Sequence, residues 1–201
     1  GIVNVVTKSG GNQFHGDVFG YFDNDSLQSS TAFTVSPNGT VEGYTRQDFG
    51  FDVGGPILKD KLWYFVAYDR VDNTTDTQLP VTVTGPLAGT TVESKSKRDL
   101  GSAKLTWQAA ANHQLQLTYF QDPRTDSGAI VDGNHTLNGD PSTFQGEQDF
   151  GGDDYALRYQ GILGPRWVVT AQGERHREGS SVGPSTTSIL RRIRNTWRAS
   201  R

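Results

Sequence analysis

Hydrophobic and polar side chains alternate with a period of two along most of this chain, the spacing of a β-strand with one face in water. Residues 13–23 place Phe14, Gly16, Val18, Gly20 and Phe22 on one face, with His15, Asp17, Phe19 and Tyr21 on the other. Residues 47–58 set Phe49, Phe51 and Val53 against Asp48, Gly50 and Asp52. Residues 102–108 set Ala103, Leu105 and Trp107 against Lys104, Thr106 and Gln108, and residues 114–121 set Leu115, Leu117 and Tyr119 against Gln114, Gln116 and Thr118. In 155–163 and 167–177, Tyr155, Leu157 and Tyr159 oppose Arg158 and Gln160, and Trp167, Val169 and Ala171 oppose Thr170, Gln172 and Glu174. Residues 62–72 are apolar on both faces, so periodicity does not orient them; their inner face is expected to pack on something.

The connections alternate as strictly as the side chains. Residues 59–61, 109–113 and 164–166 form short turns, whereas residues 24–46, 73–97 and 123–154 read as long polar loops. Soluble domains rarely carry several structureless loops beyond about 12–15 residues. Outer-membrane barrels do, with short periplasmic turns and long extracellular loops. Strands of about ten residues, tilted by about 45°, cover the roughly 25 Å apolar band of such barrels. Tyr21, Trp63, Tyr68, Trp107, Tyr119, Tyr155 and Trp167 fall near strand ends, where interfacial girdles are expected. The alternation predicts an all-β antiparallel transmembrane barrel fragment of about seven wall strands.

Composition narrows the function. Hydrophobic residues make up 33% of the 201, with 24 Gly, which suits strands that are apolar on one face only. No apolar run reaches the roughly 20 residues of a membrane helix. Without Cys, disulfides, thiolate metal sites and a Cys nucleophile are excluded. A net charge of −3 gives no electrostatic ground for a nucleic-acid partner. There is no Met and no signal peptide, so the start and any export signal are expected upstream of Gly1. His15, His113, His135 and His176 lack metal-ligand spacing, and the acidic residues between Asp122 and Asp154 do not match a calcium loop. No nucleophile elbow or phosphate-binding glycine motif is present. The chain is read as no enzyme, with no cofactor and no metal.

Two stretches carry a family resemblance. GIVNVVTKSGGNQFHG (residues 1–16) resembles the plug-to-barrel junction of TonB-dependent outer-membrane receptors, and RQDFGFDVGGPILKDKLWYF (46–65) resembles the second and third barrel strands of their Oar-like branch. The resemblance implies a barrel of about 22 strands around an N-terminal plug, energised through TonB. It makes residues 1–12 the end of the plug, with its last strand over residues 2–8, and the linker, and residues 13–178 the N-terminal part of the barrel; from Gly179 the barrel pattern is lost, which leaves an irregular tail (179–201). Such a tail is what a truncated or frameshifted gene would leave. The TonB box is absent here. Gly10 and Gly11 are expected to supply the backbone freedom for a sharp turn from lumen to wall, and Gly54-Gly55-Pro56 to bend the second strand or end its pairing.

The resulting expectation is a fragment of an outer-membrane transporter for uptake of an unknown substrate. Its partners are outer-membrane lipid, the TonB system and the transported ligand. Asp17, Lys104, Gln116, Arg158 and Gln172 are expected to face the lumen and contact the ligand. Two alternatives remain: a secreted soluble β-sandwich that binds carbohydrate or mediates adhesion, and a small complete barrel of eight strands.

Overall fold

The computed structural model describes residues 8–27, 35–36, 39–81, 88–129, 145–184 and 194–199. Apart from one 3-10 turn at Asp25–Leu27, their regular structure is strand: β1 (His15–Asn24), β2 (Val35–Ser36), β3 (Gly39–Leu58), β4 (Leu62–Gln78), β5 (Thr91–Ala110), β6 (His113–Gln121), β7 (Arg124–Ala129), β8 (Gln145–Leu163), β9 (Trp167–Pro184) and β10 (Arg194–Ala199). All join one antiparallel sheet in the order β1-β3-β4-β5-β6-β8-β9-β10. β2 leans on β3, and β7 continues the line of β6 between β5 and β8. Seven wall positions therefore run from β1 to β9, and each strand pairs with its predecessor as in an up-and-down barrel wall.

Three expectations need correction. The strands run well beyond the predicted loop boundaries: β3 begins at Gly39, β4 ends at Gln78, β5 begins at Thr91, and β7 and β8 extend through residues placed in the third loop. There both faces are polar, so the alternation disappears although the backbone ladder persists. The tail is strand over 179–184 and 194–199, with β10 paired to β9. Pro56 does not end pairing, since it stands opposite Trp63 and the ladder resumes at Leu58 opposite Leu62 after a slip in register. The expected plug strand over residues 2–8, Lys8 apart, lies outside the described residues, as do residues 130–144.

There is no thick core. Among the described residues the buried hydrophobics are Phe65, Leu79 and Val92, while Val18 is 86% and Trp167 70% exposed. One sheet with an uncovered apolar face is not a sandwich, which needs two apolar faces packed on each other. β10 supplies an eighth strand. Among the described residues, however, β1 pairs only with β3 and β10 only with β9, so no eight-stranded closure is seen.

Candidate functional site

Register sorts the wall into two faces, because residues directly opposite in an antiparallel ladder point the same way. Val18, Phe51, Phe49, Val66, Tyr68, Leu105, Trp107, Leu117, Tyr155, Leu157, Trp167 and Val169 share one face. The other carries Asp17, Asp48, Asp52, Asp69, Lys104, Gln116, Arg158, Gln172 and Glu174. The double apolarity of β4 is thereby resolved. Leu62, Tyr64, Val66 and Tyr68 lie on the apolar face, and Trp63, Phe65 and Ala67 lie among polar neighbours.

The apolar face ends along a slanted line. The first polar side chains above it are Asn24, Gln47, Arg70, Asp99, Gln121, Asp153 and Arg175, one per wall position. Through the register, Asn24 is level with Thr74 of β4, and Arg175 is level with Val66 of the same strand. The boundary thus falls by about eight residues over six strand-to-strand steps, or about 26 Å over about 29 Å, a slant of about 40°. A membrane surface cuts tilted barrel strands at about 35–45°. The apolar face is therefore a band level with a bilayer and oblique to the hydrogen-bond rows.

Aromatic residues line both rims of this band. Tyr68, Tyr119 and Tyr155 sit just below the polar line; the Tyr68 hydroxyl donates to Asp99, and the Tyr119 hydroxyl donates to Gln121 at 2.8 Å. Trp107 and Trp167 lie at the turn end. Tyr21 and Trp63 depart from the expected girdle, because their positions in the alternation put them on the polar face.

On that polar face Gln116, Arg158 and Gln172 form one continuous cross-strand row. Lys104 lies in the adjacent row, level with Thr118 and Glu174. Asp17 lies far from them, on β1, directly opposite Asp52. Four of the five residues singled out from sequence are thus brought together, and the fifth belongs to a different cluster.

Sequence reading missed the segment that crosses this face. Lys8 bonds Asp52 (Nζ–Oδ2 3.0 Å), so the chain starts its described course midway up the polar face. It then descends to the first turn, where Asn12 Oδ1 accepts from the Asp60 backbone N–H at 2.9 Å and from Trp63 Nε1 at 2.7 Å. Beyond Asn12 it reverses and climbs as β1. Asp60 holds φ 61°, a left-handed turn conformation that Asp tolerates. Gly10 is required here for a different reason from the one expected. It is not a left-handed residue, but a Cβ on it would lie 2.1 Å from the Tyr64 carbonyl oxygen. Gly11 has open space around its would-be Cβ. No spacing rule exposes this clamp, because Asn12 and Trp63 meet only when β3 and β4 fold back.

The two-faced, tilted, girdled sheet defines the class: this is wall from an outer-membrane β-barrel, and its place is the bacterial outer membrane. Residues 6–91 match the family described as Outer membrane beta barrel domain. Over 73 residues, 34% of this chain, it is 44% identical to the TonB-dependent transporter Oar of Myxococcus xanthus. Over 140 residues, 69% of the chain, it is 29% identical to the probable TonB-dependent siderophore receptor PirA of Acinetobacter baumannii. The chain is thus a segment of outer-membrane barrel wall similar to parts of TonB-dependent receptors. It spans only 7% and 16% of the lengths of these relatives. No solved structure matches.

Proposed function

We propose that the chain forms the opening part of the wall of a TonB-dependent importer, and that its polar face lines the path of a transported ligand. Residues 1–12 are then the end of a plug and its linker. The observation that carries this reading is the inward route of residues 8–12. A chain that enters the wall from halfway up its polar side comes from inside the barrel. Gln116, Arg158 and Gln172, with Lys104 beside them and Asp17 nearer the linker, are the proposed ligand-facing groups. Lys and Arg at mid-strand favour water over lipid by about 2–4 kcal/mol, which fixes the wet side of the wall.

Single cysteines in the whole receptor, labelled on intact cells, test this. Cysteines replacing Gln116, Arg158 and Gln172 should react with a small water-soluble maleimide, and those replacing Leu117, Leu157 and Leu105 should stay silent. Uptake of the cognate solute should stop when TonB is deleted. Equal labelling of the two sets, or uptake indifferent to TonB, overturns the proposal.

A further inference from the structure

Two like-charged pairs stand directly opposite each other on the polar face of the wall. Asp17 faces Asp52 across β1 and β3, and Arg98 faces Arg124 across β5 and β7. Side chains so placed have Cβ atoms about 4.5–5.5 Å apart, and like charges there are destabilising. The acidic pair has its counter-ion: the Lys8 ammonium comes from inside the barrel and bonds Asp52 at 3.0 Å.

The basic pair is built differently. Arg124 gives one edge to Asp126 (Nε–Oδ1 2.8 Å, Nη2–Oδ2 2.7 Å), and its guanidinium carbon lies 5.9 Å from the centre of the Phe150 ring. Asp126 and Phe150 therefore hold that fork in a fixed pose. Arg98 is exposed and has no hydrogen-bond or ion-pair partner among the described residues. Its register neighbour on β4 is Val71, which offers no charge. The pair is level with the polar line that ends the apolar band, since Asp99 is the first outward polar residue of β5. Arg98 and Arg124 therefore stand at the outer mouth, where an incoming solute arrives before it reaches Arg158 and Gln172.

We infer that Arg98 and Arg124 form an oxyanion-binding site at the mouth of the barrel, with Arg124 as the anchored fork and Arg98 as the free one. Guanidinium forks match carboxylate and phosphate oxygens two at a time, which gives both charge and geometry. The anion would do for this pair what Lys8 does for Asp17 and Asp52. The inference rests on the reading that the polar face lines the lumen.

The test uses the whole receptor in detergent, with citrate and pyrophosphate as probes and chloride of equal ionic strength as control. At least one probe should bind by titration calorimetry and raise the unfolding temperature. R98Q should weaken that binding at least tenfold, R98K should keep part of it, and R98Q without anion should unfold at a higher temperature than the parent. R124Q should weaken binding as well; if it fails to fold, R98Q decides alone, since Arg98 has no hydrogen-bond or ion-pair partner to lose among the described residues. Binding of citrate only assigns a carboxylate site, and of pyrophosphate only a phosphate site. Absence of binding by both, or binding unchanged in R98Q, overturns the inference. A cysteine at position 98 separates the two failures. If water-soluble maleimide does not reach it, the lumen reading is wrong; if it reacts while no anion binds, only the site is wrong.

Discussion

At the scale of single residues, the junction between linker and wall is held by very few atoms. Asn12 Oδ1 satisfies two donors at once, the Asp60 N–H and the Trp63 indole. Removing it leaves both to water, and since the site is exposed the loss should be modest. Asn12→Ala is expected to lower the stability of the whole barrel by about 1 kcal/mol, read as a shift in a urea unfolding curve in micelles. Gly10→Val should cost more, about 1–3 kcal/mol, because its Cβ would collide with the fixed Tyr64 carbonyl and not with a movable side chain. Gly11→Ala, with open space around it, serves as the neutral control. Equal effects of Gly10→Val and Gly11→Ala would contradict the close approach of linker and wall.

At the scale of elements, the two faces of one strand obey different solvents. Leu117 and Thr118 are neighbours on β6, yet the first lies in the apolar band and the second in the Lys104 row. Leu117→Arg is expected to destabilise the barrel by about 2–4 kcal/mol. Thr118→Arg is expected to cost well under half of that. Folded yield in outer-membrane fractions, with the heat-induced shift in gel mobility, reads the difference; a Thr118→Arg defect as large as that of Leu117→Arg would reverse the assignment of faces. The upper halves of β3, β4 and β5 follow neither rule, being polar on both faces. Ion pairs such as that of Arg70 with Asp72 along β4 and with Asp99 across to β5, and the ladder of Thr74, Thr75 and Thr77, continue the wall beyond the bilayer. Those pairs are partly exposed and each contributes little by itself. Sequence periodicity is blind to such a region, because water on both sides removes the contrast that alternation records.

At the scale of the whole molecule, the described sheet has open edges at β1 and β10. Unpaired backbone N–H and C=O groups in lipid cost several kcal/mol each. The 201-residue chain expressed by itself is therefore expected to aggregate or to pair its edges aberrantly. Size-exclusion chromatography in plain buffer should find no stable monomer; a compact soluble monomer there would contradict a wall that needs lipid and further strands.

The sequence by itself determined the strands, their two-faced character, the short turns, the seven wall positions and the barrel class. These follow from local alternation and from turn residues such as Lys59-Asp60-Lys61, which one strand and its nearest neighbour suffice to satisfy. Tertiary structure alone decided which of the five singled-out side chains share a row, that Asp17 belongs with Lys8 and Asp52, and that Asn12 is fastened to Trp63. It also decided the tilt of the membrane band and the meeting of Arg98 with Arg124. Those are relations between residues distant along the chain, and register sets them. Register depends on how each hairpin closes, and no single strand's pattern contains it.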